Sequence, residues 1–179
     1  LLKGISVEFF AAIFRVDEGW MGILVSEKGL CRVFLPGRTE RAVRAVLLKG
    51  CQSLPINFKP PEKLVKPFIN AFSDYFSGNV KRFSLPLDFC GATDFERAVW
   101  KVARAIPYGE TRTYGWVAKM LRRPNAVRAV GGALGRNPLP IIIPCHRVVG
   151  TDGSPGGFSG GLAWKRRLLA LEKQHSGMS

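Results

Sequence analysis

The stretch TYGWVAKMLRRPNAVRAVGGALG, residues 113–135, decides how the second half of this chain folds. Thr113 is a good helix-capping residue, and a short helix is predicted from it through Leu121. Arg123-Pro124-Asn125 then supplies a tight turn, and Ala126 to Gly135 predict another helix, stopped by Asn137-Pro138. Helix, short turn, helix is the spacing of a helix-turn-helix. Upstream, Thr93-Asp94-Phe95-Glu96 reads as a capping box, in which the Thr93 hydroxyl and the Glu96 carboxylate satisfy each other's backbone amides. Phe95, Val99, Val102 and Ile106 then share one helical stripe until Pro107-Tyr108-Gly109 ends it. Downstream come an extended, proline-flanked stretch (Leu139 to Val149), a glycine-rich loop (Gly150 to Gly161) and a last helix to about Lys173.

The first half reads differently. Glu8 to Val16, Trp20 to Ser26 and Leu30 to Leu35 are rich in branched and aromatic residues. Asp17-Glu18-Gly19 and Glu27-Lys28-Gly29 separate them, which predicts a small antiparallel sheet. Helices are predicted after Thr39, ending at Gly50, and from Leu64 to Phe76 beyond Pro60-Pro61. The expected class is α+β. An N-terminal α/β domain, residues 1–90, precedes a mostly helical C-terminal domain, residues 91–179, with a (winged) helix-turn-helix and a loop bearing the reactive group.

Composition narrows the partners. Lys and Arg number 27 against 13 Asp and Glu among 179 residues, a net charge of +14. The excess makes a polyanion, nucleic acid first and an anionic membrane surface second, the expected partner. Basic and acidic side chains number 13 and 8 in residues 1–93 but 14 and 5 in residues 94–179. No acid stands between Glu110 and Asp152, where Arg112, Lys119, Arg122, Arg123, Arg128, Arg136 and Arg147 all fall. A charge run is usually a solvated face, but this one coincides with the helix-turn-helix and so points to phosphate contact. At 46% hydrophobic and 22% charged residues, the chain is expected to be globular rather than disordered. No apolar run approaches the ~20 residues of a membrane-spanning helix. Leu1-Leu2-Lys3 opens a poor secretory signal, because Glu8 interrupts it. Four scattered cysteines without a CxxC pair argue for a reducing, cytoplasmic location rather than a disulfide framework. Only His146 and His175 are present, so no metal site is expected. The glycine-rich loop lacks the Lys-Ser/Thr ending of a phosphate-binding loop, which disfavours a nucleoside triphosphate.

Pro144-Cys145-His146-Arg147 carries the chemistry. Cys31, Cys51 and Cys90 are expected to be buried and inert. Cys145 instead stands beside a histidine in the most basic part of the chain, surroundings that favour the nucleophilic thiolate. Neighbouring side chains of an extended segment point to opposite faces, so a bridging water is expected to carry the proton between Cys145 and His146. His146 then needs an orienting acid, and Glu172 on the last helix is the candidate.

The stretch Ile143-Pro144-Cys145-His146-Arg147-Val148-Val149 resembles the active-site signature of the O6-alkylguanine-DNA alkyltransferases (methylated-DNA–protein-cysteine methyltransferases). Phe95-Glu96-Arg97-Ala98-Val99-Trp100, Ile106-Pro107-Tyr108-Gly109-Glu110-Thr111, Tyr114, Arg128-Ala129-Val130-Gly131-Gly132-Ala133, Asn137-Pro138 and Ser159-Gly160-Gly161 follow in family order. The likeness runs from about Phe95 to Glu172; before it the similarity is architectural, to a ribonuclease-H-like α/β domain. The resemblance implies that an O6-alkylguanine is flipped from double-stranded DNA and its alkyl group moved irreversibly to Cys145. No cofactor is implied, and each molecule, expected to be a monomer, acts once.

Roles follow by resemblance. Tyr114 donates its hydroxyl to the leaving guanine and crowds the phosphate, and Arg128 is a finger that fills the emptied stack. Asn137 ties its turn to the backbone around the cysteine. Pro140, Phe158 and Gly156 shape the guanine pocket, Ser159 donates toward O6, and the backbone at Cys145 and Val148 accepts from the exocyclic amine. Thr113, Ala126, Ala129 and Gly131 complete the DNA face. The small side chains fit a helix entering the minor groove with little base readout. Phe158 stands where the family commonly has tyrosine, and Val127 is bulkier than the frequent alanine. Some relatives hold a zinc in the first domain, but this half has three scattered cysteines and no histidine, so none is expected. Three other readings compete with it: a non-enzymatic alkylguanine sensor, a helix-turn-helix regulator and a cysteine hydrolase. Retention of Cys145, His146 and Glu172 argues against the sensor. A recognition helix without Asn or Gln argues against the regulator. The hydrolase lacks an oxyanion arrangement.

Overall fold

Residues 8–177 are described in the computed structural model; the Leu1-Leu2-Lys3 opening lies outside them. The chain divides into two compact units at Cys90/Gly91.

In the first unit, β1 (Phe9–Val16), β2 (Gly19–Ser26) and β3 (Gly29–Gly37) form an antiparallel meander. Each two-residue turn is followed by a glycine at positive φ, Gly19 (+127°) and Gly29 (+143°), a backbone conformation that favours glycine. Side chains alternate across β1. Phe9 and Ala11 meet Leu24, Cys31 and Leu47 on one face, while Phe14 stacks against Phe72 on the other. Helix α1 (Glu40–Gly50) covers the first face through Val43 and Leu47, and α2 (Glu62–Phe76) covers the second through Phe72. The sheet is mixed rather than purely antiparallel. A two-residue strand, β4 (Ile56–Asn57), pairs parallel with Phe9 and Phe10 of β1, giving the order β3-β2-β1-β4. Prolines on either side (Pro55, Pro60) keep it short. Thr39 caps α1 by accepting from the Ala42 amide.

The second unit starts with the capping box: Thr93 Oγ1 accepts from the Glu96 amide at 3.2 Å and Glu96 Oε2 from the Thr93 amide at 2.9 Å. Helix α3 (Asp94–Arg104) follows. Its buried face is Val99, Trp100 and Ala103, with Phe95 and Val102 only half-buried, a rotation of the expected stripe. The cause is α5: Trp100 Nε1 donates to Ala133 O at 2.9 Å, which turns the indole inward. Helices α4 (Tyr114–Met120) and α5 (Val127–Gly135) are the helix-turn-helix, with Thr113 capping α4 through the Trp116 amide. Beside them lies a parallel two-residue pair, β5 (Arg112–Thr113) with β6 (Val148–Val149). Leu139 to Val149 is not extended throughout. It closes a bridge between Pro140 and Ile143 and then makes a single 3-10 turn, Cys145–Arg147, before β6. Helix α6 (Leu162–Ser176) buries Lys165, Leu168 and Glu172 along one stripe. None of the helices is long and apolar enough to cross a membrane among the described residues.

Candidate active site

Asn137 follows α5, and its amide is fully engaged. Nδ2 donates to Ile143 O at 2.9 Å and to Cys145 Sγ at 3.0 Å, while Oδ1 accepts from the Leu139 amide at 2.9 Å. These bonds hold a loop in which Ile141 takes φ +76°, an unfavourable region for a β-branched residue. The 3-10 turn that follows separates successive side chains by roughly a third of a rotation. The Cys145 sulfur therefore faces Asn137 and the His146 ring faces α6.

His146 is fully buried, and its Nε2 lies 2.7 Å from Glu172 Oε1. Glu172 also accepts from Arg147 Nε at 2.8 Å, Arg147 Nη2 at 2.9 Å and the Gly109 amide at 3.1 Å. Burial works to raise the Glu172 pKa, but the bonds and charges of His146 and Arg147 outweigh it and hold the carboxyl down at about 2. Burial keeps His146 below the ordinary imidazole range, with Glu172 pulling the other way. The stable pair is a carboxylate facing a neutral imidazole.

The expectation of a resting thiolate is reversed. Cys145 is 5% exposed, and burial raises its pKa against the opposing Asn137 bond and the nearby Lys165 charge. The basic surface does not reach it; one buried ammonium does. Lys165 Nζ donates to Val148 O at 2.5 Å and lies 5.8 Å from the centre of the Tyr114 ring. Burial lowers its pKa to about 8.

Beside this core is a recess of about 380 Å³ walled by Tyr114, Gly131, Gly135, Gly156, Gly157, Phe158 and Ser159. Tyr114 belongs to both: it lines the recess, and its ring lies over Lys165 Nζ; burial raises its pKa, and a thiolate at Cys145 would raise it further. The sequence-predicted Gly156, Phe158, Ser159 and Gly131 meet there. Pro140 does not. It is buried under the loop, because its bridge to Ile143 folds it inward. Val148 is also buried, with its carbonyl already accepting from Lys165. Arg128 and Ala129 project from α5 as exposed side chains, and Ala126 is half-buried at its start. Thr113 is half-buried and serves as the α4 cap.

Three participants escaped sequence reasoning. Lys165 lies seven residues before Glu172, hence on the same helical face; that spacing was the available signal. Arg147, expected among the basic side chains that face phosphate, is instead buried against Glu172. The Gly109 amide carries no side-chain signal. In the first unit, Cys31 and Cys51 are buried, and burial pushes Cys31 up to about 11. Cys90, expected inside, is exposed because it ends the irregular segment after α2. Cys31 and Ser26 both donate to Asp88 Oδ2, at 3.8 and 2.7 Å. No three His, Cys, Asp or Glu side chains converge among the described residues.

These parts define a helix-turn-helix unit with a buried nucleophile, a histidine–carboxylate relay and a glycine-walled recess. Residues 94–174 match the family described as 6-O-methylguanine DNA methyltransferase, DNA binding domain. The chain is 40% identical over 153 residues to the methylated-DNA–protein-cysteine methyltransferase of Methanosarcina barkeri, covering 84% of this chain and 96% of that one. It is 48% identical over 137 residues to that of Mycobacterium bovis, covering 73% and 82%. A 50% match to the Mycolicibacterium paratuberculosis protein spans 61% of that relative's length. Among solved structures, Mycobacterium tuberculosis OGT in complex with DNA superposes with a TM-score of 0.77 at 33% identity, over 93% of this chain and 94% of that one. The chain belongs to the methylated-DNA–protein-cysteine methyltransferase family.

Proposed function

We propose that this protein repairs O6-alkylguanine in double-stranded DNA by moving the alkyl group to its own Cys145, once per molecule. The reading is carried by one juxtaposition: Tyr114 walls the recess, and its ring lies 5.8 Å from Nζ of Lys165, the buried ammonium that, with the Asn137 amide on Sγ, favours the Cys145 anion. Helix α5 would enter the minor groove, with Arg128 taking the place of the extruded base. The Cys145 proton passes, through a bridging water, to His146 Nδ1. The sulfur attacks the alkyl carbon, the carbon–O6 bond breaks, and its electron pair leaves on guanine. Tyr114 then gives a proton to the guanine and is reprotonated as His146 releases the proton it took, so the products are S-alkylcysteine and unmodified guanine. Burial makes the resting thiol inert, and Lys165 and the Asn137 amide favour the anion as it forms. Thioethers do not hydrolyse, so the protein does not turn over. Free thiols throughout fit a reducing, cytoplasmic setting.

The test is a titration. Protein mixed with excess O6-methylguanine oligonucleotide should restore guanine in an amount equal to the protein present, and Cys145→Ala should restore none. Continued turnover would contradict the reading.

The glycine wall makes a second expectation. A Cβ at Gly156 would lie 2.6 Å from the Tyr114 hydroxyl, on a backbone at φ +58°. Gly156→Ala should displace the loop or the ring by a few tenths of an ångström or more. Single-turnover repair should slow on the order of 10- to 100-fold; an unchanged rate would remove Tyr114 and Gly156 from the substrate's path.

A further inference from the structure

Arg147 stands in the reactive motif yet has no part in the alkyl transfer described above. Its side chain is buried, with Nε and Nη2 on the two oxygens of Glu172 and Nη1 on Ile106 O at 2.7 Å. With His146 Nε2 and the Gly109 amide, each Glu172 oxygen accepts two bonds. That fills the roughly four acceptor positions a carboxylate offers. An ionised carboxylate only accepts, so the ring nitrogen facing it must carry a hydrogen. The other, Nδ1, is buried and makes no hydrogen bond among the described residues.

A buried carboxylate facing an imidazole alone would draw a second proton onto the ring. Here the guanidinium already supplies the positive charge. We infer that Arg147 is a positioning residue that neutralises Glu172 through its planar fork and so holds His146 as the neutral Nε2–H tautomer, with Nδ1 able to accept the Cys145 proton. The purpose of this device rests on the alkyl-acceptor reading; its existence does not. Three other groups bear on the pair among the described residues. Lys165 on α6 also opposes protonation of the ring. Tyr108 lies 5.5 Å from the guanidinium, and burial keeps its hydroxyl neutral, with a pKa pushed up to about 12. Cys145 is uncharged at rest through burial.

Nitrogen-15 NMR of the unreacted full chain tests this, because only His146 and His175 give imidazole signals and His175→Gln assigns them. The wild type should show a neutral Nε2–H ring for His146 at pH 7. Arg147→Gln keeps hydrogen-bonding groups but removes the charge. Its His146 midpoint should rise by about one to three pH units. The acidic limb of methyl transfer should move upward with it, slowing repair about tenfold per unit below the limb. Arg147→Lys keeps the charge and should bring both back toward wild type, a rescue that a purely structural role does not predict. An imidazolium in the wild type at pH 7, or an unmoved midpoint in Arg147→Gln, overturns the inference. Should Arg147→Gln fail to fold, the wild-type ring at pH 7 and the Arg147→Lys midpoint decide it. If the wild type took up no methyl group, the functional reading would fall while the NMR result still judged the tautomer.

Discussion

Glu172→Gln should be among the most damaging single changes in the second unit, lowering stability by about 3–5 kcal/mol, because it leaves the Arg147 guanidinium buried without its counter-charge. The consequence for chemistry is separate. A glutamine can offer its amide N–H to His146 Nε2, which makes that nitrogen the acceptor and moves the ring hydrogen to Nδ1. The nitrogen that should take the thiol proton is then already protonated. Methyl transfer per folded molecule should fall by at least about 100-fold, the usual contribution of a positioned base. Urea denaturation and single-turnover repair at matched folded fraction measure the two effects. Stability should also change with pH in a definite direction. The Glu172 carboxyl sits at about 2 in the folded chain, below its unfolded value. Its contribution is therefore fully present above the ordinary carboxylate range near 4.3 and is lost as pH falls toward 2. His146, held below its unfolded value, adds a loss that begins as pH drops below about 6.5. Glu172→Gln should flatten the lower part of that curve. A stable, active variant would remove the carboxylate from both roles.

The second large effect concerns α5. Arg128 is exposed on its first turn, in a stretch without acids, and its guanidinium is planar and permanently charged. Extruding a nucleotide costs a few kcal/mol of stacking and pairing, and a filler that offsets about 2 kcal/mol of this is worth about 30-fold in rate. Arg128→Ala should slow repair of O6-methylguanine in a duplex by roughly that factor. Reaction with free O6-benzylguanine, which needs no extrusion, should change less than about twofold. Equal slowing of both reactions would show that Arg128 acts within the reaction centre rather than on the DNA stack.

Much of this arrangement could be read locally. The Thr93–Glu96 box, the Thr113 cap and the Arg123-Pro124-Asn125 turn depend on residues three or four apart, and each forms as its sequence states. What escaped depends on distant contacts. Nothing in Ile56-Asn57 announces a parallel pairing with β1, since two residues carry no alternation. A lysine on a helix is almost always solvated, so Lys165 drew no notice despite sharing a face with Glu172. In the sequence, the histidine beside Cys145 and the abundance of nearby basic residues point to a thiolate. The structure makes burial the larger influence and leaves a single ammonium close by. Pro140 is a similar case, since its position beneath the loop follows from a bridge to Ile143 and an unusual backbone at Ile141. The histidine–carboxylate pairing spans 26 residues, so no local spacing marks it; Glu172 is legible as the one acid of the last helix that could orient His146.

The central claim is that reactivity belongs to a nearly sealed thiol rather than to the exposed one. Cys90 is exposed, whereas Cys145 is nearly sealed. Peptide mapping after reaction with a duplex containing O6-methylguanine separates guided transfer from simple thiol exposure. The account predicts one added methyl group per molecule, on Cys145 alone, with Cys90 unmodified. A methyl group on Cys90, or one distributed among the four cysteines, would contradict it.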